Sequence, residues 1–459
     1  FHGHINPAIH LSLKLASKGF IITFVNTQFI HSQITKAQLT SSGPNNDDIF
    51  SKVRESGLDI RYLTISDGFP LEFDRNMNSL PFLEGLINDF SGHVDELVGK
   101  LVKDNCVDPI NCLVADTFLV SPSIIAKKYE IVHVSFFTEP ALVFTLYYHL
   151  DLLEENGHFG SDENRKDPVD YIPGVKSIEA SDLPFVFQNS VVHQLIYKAF
   201  QDVRKADIII ANTIQELELE TITSIQEKHN FYAIGPIVSA NFIDLTIPSS
   251  LWSEFNCTQW LDTKPRGSVL YVSFGSVARV NKEDILELAH GLMLSEVSFI
   301  WVLRLNYLGQ NEKSILPLGY EEKVNGRGLI VPWCNQTRVI SHSAIGGFLS
   351  HCGWNSVVES IWCGVPLICF PLVTDHLANR KLVVSDWKVG SDLRDGESIT
   401  REKVCDKIKY LMSKETSSNL RKTVVHVKET FHNALAPNGS SNVNFDKFVE
   451  ELKMKVSLA

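Results

Sequence analysis

Short apolar, β-rich runs alternate with helical patterns through almost all of this chain, and no other feature limits its fold so strongly. The first series is "GFIITFVNT" (19–27), "LDIRYLTI" (58–65), "CLVADTF" (112–118), "IVHVSFF" (131–137), "ADIIIANT" (206–213) and "FYAIGPI" (231–237). A second follows with "SVLYVSFGS" (268–276), "SFIWVLR" (298–304), "GLIVPW" (328–333), "IGGFLSH" (345–351) and "VPLICFP" (365–371). Near-continuous hydrophobic strands separated by helices predict α/β domains with parallel sheets covered on both faces. Two series predict two Rossmann-like domains, at 1–240 and 259–435. Between them, 241–258 has no clear period and reads as a linker. A last helical pattern, "NVNFDKFVEELKMKV", lies within 436–459 and has no strand after it.

At 459 residues the chain is too long for one ordinary core, which supports the two-domain reading. Its 42 basic and 54 acidic residues leave a net charge of −12, which argues against a nucleic-acid or anionic-membrane partner. Eight cysteines form no C-x-x-C pair, so a reducing compartment, the cytoplasm, is expected. No apolar run approaches the roughly 18 residues of a membrane span. A monomer is expected.

The start, "FHGHINPAIHLSLKLASKG", reads as a loop and then a helix. Asn6 suits an N-cap and Pro7 the first turn, with Ile9, Leu13 and Ala16 at helical spacing and Gly19 as the stop. That places His4 on a loop before a helix N-terminus. A strand ordinarily precedes such a loop in an α/β domain, so the first domain is expected to lack its first strand here.

The densest signal runs from Trp333 to His376. It reads as a strand end, a helix, the strand "IGGFLSH", a tight loop "CGWNS", a helix "VVESIWC" capped by Gly364, and another strand. Gly353 allows close backbone approach, Asn355 and Ser356 offer donors, and a following helix presents its positive end, so a diphosphate would fit. The turn "FGS" at 274–276 ends another strand and adds donors. Glu359 is suited to accept from ribose hydroxyls, and Trp333 offers a flat face to a base. "HCGW" also suggests a His-Cys metal site, but no second ligand pair has sensible spacing, and no Asp-x-Asp pair occurs. The aromatics Phe118, Phe136, Phe137, Phe144, Tyr147 and Tyr148 read as core, some of them lining an apolar pocket.

This segment closely resembles the signature box of the plant secondary-product UDP-glycosyltransferases. The match covers Trp333, Gln336, His342, "HCGWNS" (351–356), Glu359, "GVP" (364–366), Pro371 and Asp375. It extends to "GHINP", "LVADTF", "YIPGV", "ANTIQELE", "WLD" and "YVSFGS". The resemblance implies the two-domain GT-B fold, with the last helix crossing back to the N-terminal domain. It also implies that His4 is the catalytic base and Asp116 its carboxylate partner. Trp333 would stack on uracil, with Cys334 beside it, and Gln336 and Glu359 would hold the ribose. His351, Gly353, Asn355, Ser356 and Ser276 would hold the phosphates, and Trp354, Asp375 and His376 would face the sugar. Imidazole titrates near neutrality, which suits it to take a proton from an acceptor hydroxyl while a carboxylate orients the ring. The implied reaction is inverting transfer of a hexose from a UDP-sugar to a small lipophilic hydroxylated acceptor, with no cofactor and no metal.

One position departs from the pattern. The family's box closes with Asp-Gln, and here it closes with Asp375-His376. That glutamine hydrogen-bonds the sugar in the family, and histidine there accompanies galactose preference in some members. UDP-glucose is the expected donor and UDP-galactose the alternative. Two other function classes stay open: a nucleotide-sugar epimerase on the same fold, and a truncated, non-catalytic UDP-sugar binder.

Overall fold

The structure is a computed structural model, and it describes residues 2–39, 48–103, 108–158, 167–184, 190–237, 247–276, 279–304, 315–394, 398–413 and 415–458. Part of the expected linker, 241–246, lies outside the described residues. The chain forms two compact units, one of residues 2–251 and 433–459 and the other of residues 252–432.

In the first unit, β1 (Ile22–Thr27) and β2 (Ile60–Ile65) pair in parallel. A second parallel sheet has the order β3 (Cys112–Asp116), β4 (Val132–Phe137), β5 (Ile208–Ala211) and β6 (Phe231–Ala233). Every residue of β4 and β5 is buried, as expected of parallel strands covered on both faces. Among the aromatics, Phe136, Phe137, Phe144 and Tyr147 are core residues, whereas Phe118 and Tyr148 are half-buried. The closing helix, Ser440–Leu458, packs Phe445, Phe448, Val449 and Leu452 against Val132, Val134 and Ile208 of this sheet.

The first helix corrects the reading of the N-terminus. It spans His2–Ser17, so His4 and Asn6 are helical and Pro7 lies inside it. The cause is Ile5, which extends the stripe Ile9, Leu13 and Ala16 upstream by one turn and is buried with them. The stop is as expected: Gly19 has φ 86°, and its N–H bonds to the Ala16 carbonyl.

The second unit has one parallel sheet of β7 (Val269–Ser273), β8 (Ser298–Val302), β9 (Gly328–Val331), β10 (Ile345–Ser350), β11 (Leu367–Cys369) and β12 (Gly390–Asp392). The order is β12-β11-β10-β7-β8-β9. This is the doubly wound Rossmann order, which reverses direction between β7 and β10. Trp301, Tyr271, Phe299, Phe348 and Phe370 are fully buried in this unit. Ligands of such sheets bind outside the strand C-termini at the reversal, and here Ser273 and Ser350 are paired at those ends.

Candidate active site

The residues beyond β7 and β10 form one constellation. His351 follows β10 directly, and its ring is wedged between two glycines. A Cβ added to Gly275 would lie 2.4 Å from His351 Nε2, and one added to Gly353 would lie 2.5 Å from it. Both turns, "FGS" and "HCGW", therefore need glycine for the same imidazole. Burial, followed by the proximity of His376, lowers the His351 pKa to about 3, so the ring is neutral near pH 7. Its Nδ1 is buried without a partner.

The helix after this loop begins three residues earlier than expected, spanning Trp354–Cys363 with Gly353 as N-cap. Asn355 and Ser356 thus stand in the first turn rather than in a loop, because Trp354, Val357 and Val358 make one buried face with Ile361. The first N–H to bond back along the helix is that of Val357, to the Gly353 carbonyl at 3.1 Å. A helix end of this kind, beside Gly353, presents its N–H groups and its positive dipole to an anion. Ser276, half-buried at the end of the β7 turn, completes the set expected for phosphate.

A second group lies on the next elements. Asn335 accepts from the Arg338 N–H at 3.0 Å and so caps the short helix Gln336–Ile340. This aims Gln336, whose Nε2 donates to Ser356 Oγ at 2.9 Å and to Glu359 Oε2 at 2.8 Å. Tyr271, which the sequence did not single out, donates from its hydroxyl to Gln336 Oε1 at 3.4 Å. Burial pushes the Glu359 carboxyl up to about 7, against hydrogen bonds from Gln336 and Thr337 that pull it down. Trp333 is half-buried beside the buried Cys334.

The third group is Trp354, Asp375 and His376, all buried. Asp375 accepts from Thr374 Oγ1 at 2.9 Å and from Asn379 Nδ2 at 2.7 Å, and Asn379 also donates to the Cys352 carbonyl. Burial raises the Asp375 pKa. The His376 ring stands perpendicular to His351, with centroids 4.8 Å apart. Burial lowers the His376 pKa to about 3.

His4 and Asp116 lie in the first unit. His4 Nδ1 is 2.7 Å from Asp116 Oδ2, although 112 residues separate them. The other carboxylate oxygen, Oδ1, accepts the Phe118 N–H at 2.9 Å. Burial acts to raise the Asp116 pKa, but the charge and hydrogen bond of His4, aided by the Phe118 N–H, outweigh it, and the net shift is downward. Thr138 Oγ1 lies 3.2 Å from the same His4 nitrogen. Its signal was available, since Thr138 follows β4, the strand paired with β3 at Asp116↔Phe136. Phe118 sets its ring edge-on to His4, with centroids 5.7 Å apart.

The doubly wound domain with its glycine-bearing turns, and the second α/β unit with its His-Asp contact, have the make-up of the GT-B class of nucleotide-sugar transferases. Residues 175–428 match the family described as UDP-glucoronosyl and UDP-glucosyl transferase. UDP-glycosyltransferase 86A1 of Arabidopsis thaliana is 51% identical over 463 residues, covering 99% of this chain and 93% of that protein. UDP-glycosyltransferase 86A2 of the same plant is 48% identical, covering 100% and 94%. Among solved structures, Medicago truncatula UGT71G1 complexed with UDP-glucose has a TM-score of 0.79 at 28% identity, over 98% of this chain and 96% of that one. The UDP complex of UDP-glucose: anthocyanidin 3-O-glucosyltransferase has a TM-score of 0.81 at 25% identity, over 100% and 97%. The chain belongs to the plant UDP-glycosyltransferases, enzymes that transfer a sugar from a UDP-sugar. Among the described residues, no helix is long and apolar enough to cross a membrane.

Proposed function

We propose that the chain transfers a hexose, glucose first and galactose second, from its UDP-sugar to a hydroxyl of a small lipophilic acceptor, with inversion. The observation that carries this is the His4–Asp116 contact of 2.7 Å. Asp116, held ionised, fixes the Nδ1 proton, so the acceptor proton goes to Nε2. The acceptor oxygen then bonds to the anomeric carbon as the bond from that carbon to the phosphate oxygen breaks. That bond's electron pair leaves with UDP.

The developing charge falls to the N–H groups that open the helix Trp354–Cys363 and to Ser356, with His351 as a neutral imidazole rather than a cation. Trp333 stacks on uracil, and Gln336 and Glu359, already hydrogen-bonded to each other, hold the ribose. Cytoplasmic location and a monomer complete the reading.

Screening hydroxylated acceptors against UDP-glucose, with mass detection of the product, tests this. A mass gain of one hexose supports transfer. Turnover of the UDP-sugar without acceptor would support an epimerase instead, and binding without any turnover would leave a sugar-nucleotide binder.

A further inference from the structure

Residues 252–257 run beside the segment that carries Trp333. The Trp252 ring lies against that of Trp333, with centroids 4.4 Å apart and planes tilted by 47°. On Trp252 lies the guanidinium of Arg304, with its carbon 5.1 Å from the ring. Backbone pairing ties the same stretch down, since the Phe255 N–H donates to the Trp333 carbonyl at 2.9 Å. Asn335 Nδ2 also donates to Glu254 Oε2 at 3.4 Å. Phe255 is 48% exposed, so burial of its side chain does not account for that pairing.

An indole at the end of a strand has two faces, and a base can stack on only one of them if the other is covered. We propose that Trp252 is a positioning residue of the donor site, holding the Trp333 indole at the angle that receives a uracil ring. Arg304 backs Trp252 through a cation–π contact, which suits an arginine because its guanidinium is planar. Burial, with the charge of Arg279, lowers the Arg304 pKa to about 10, so it stays protonated at neutral pH. The inference rests on Trp333 as the uracil platform, and Trp252 itself touches no ligand in it.

The test compares Trp252→Ala, Trp252→Phe and Trp333→Ala, each alone, with the double alanine variant. UDP and uridine affinities are measured by calorimetry, and amide exchange of peptides containing residues 333–336 is measured without ligand. An aromatic pair of this size predicts that Trp252→Ala raises the Kd of UDP and of uridine by the same factor, about three- to tenfold. Phenylalanine is expected to restore most of it. In the Trp333→Ala background the Trp252 substitution has no further effect, and in the wild-type background it speeds exchange at 333–336. Equal losses in both backgrounds, or unchanged exchange together with unchanged affinity, overturn the proposal. If Trp333→Ala leaves UDP affinity intact while Trp252→Ala still speeds exchange, the uracil reading fails and the supporting role of Trp252 stands. Arg304→Lys, which keeps the charge but loses the planar group, is expected to reproduce part of the Trp252→Ala effect in a folded chain.

Discussion

Asp116 shares itself between two partners. One oxygen meets His4 at 2.7 Å and the other accepts the Phe118 N–H at 2.9 Å. The second bond fixes the carboxylate in the plane that suits the first. Replacing His4 with Ala is expected to lower turnover at least about a hundredfold, the scale of losing a general base, and to leave UDP affinity within twofold. Asp116→Asn keeps the shape but removes the charge that stabilises the imidazolium, so it is also expected to be slow. Steady-state rates with one alcohol acceptor decide this, and near-wild-type turnover in His4→Ala would remove the base assignment.

Trp333→Ala is expected to weaken UDP by roughly 1–3 kcal/mol, as for base–aromatic stacking elsewhere. The loss is the same for UDP and UDP-glucose, because the sugar takes no part in it. Calorimetry with both ligands checks this.

The strand series was legible because buried parallel strands are written as apolar runs, and every run quoted from the sequence contains a strand. β12 was not, because "GSD" at 390–392 has no apolar signature and is a strand only through its pairing with β11. The start of the first helix was misplaced because Asn6-Pro7 is a strong local start signal, while Ile5 found its partners only in the folded core. The pairing of His4 with Asp116 came from resemblance, since nothing local joins residues 112 apart. The neutrality of His351 and His376 was invisible, because it comes from burial among residues distant in sequence. Trp252 likewise stands in a stretch without periodicity, and only its contact with Trp333 gives it a role.

Glu359 makes stability depend on pH in a direction opposite to an ordinary ion-paired carboxylate. Its folded pKa, about 7, lies above the reference value of 4.5, so the folded chain binds the proton more tightly than the unfolded one. Stability is therefore lost as pH rises from about 4.5 to above 7. Glu359→Gln, neutral at every pH, escapes this loss. Its melting temperature relative to wild type is expected to increase between pH 5 and pH 8. Its UDP affinity should fall, since the ribose hydroxyls lose a carboxylate acceptor. A melting-temperature difference that does not change with pH would show that Glu359 is ionised in the folded chain.

EDTA is expected to leave the transfer rate unchanged. The leaving diphosphate is assigned to helix N–H groups, and the sequence holds no Asp-x-Asp pair of the kind metal-dependent transferases use. The rate before and after exhaustive chelation, with and without added magnesium, measures this.

His376 is the residue proposed to read the sugar. Its Nδ1 accepts the N–H groups of Val373 at 3.2 Å and Leu372 at 3.4 Å, so the proton of the neutral ring sits on Nε2. Burial lowers its pKa to about 3, so the ring carries a single N–H and no charge throughout the neutral range. A glutamine offers a donor and an acceptor from one amide, whereas this imidazole, with Nδ1 occupied, offers a donor only. Glucose and galactose differ in the direction of one hydroxyl, and a site with one donor and no acceptor discriminates less sharply between the two directions. His376→Gln is therefore expected to raise the glucose-to-galactose rate ratio, whatever its starting value. The wild-type ratio should stay constant between pH 6 and pH 9, because the ring does not titrate there. Both are measured with a single acceptor and the two UDP-sugars in parallel. An unchanged ratio in His376→Gln would show that this residue does not read the sugar, and a wild-type ratio that moves with pH would show that the imidazole gains its proton when the donor binds.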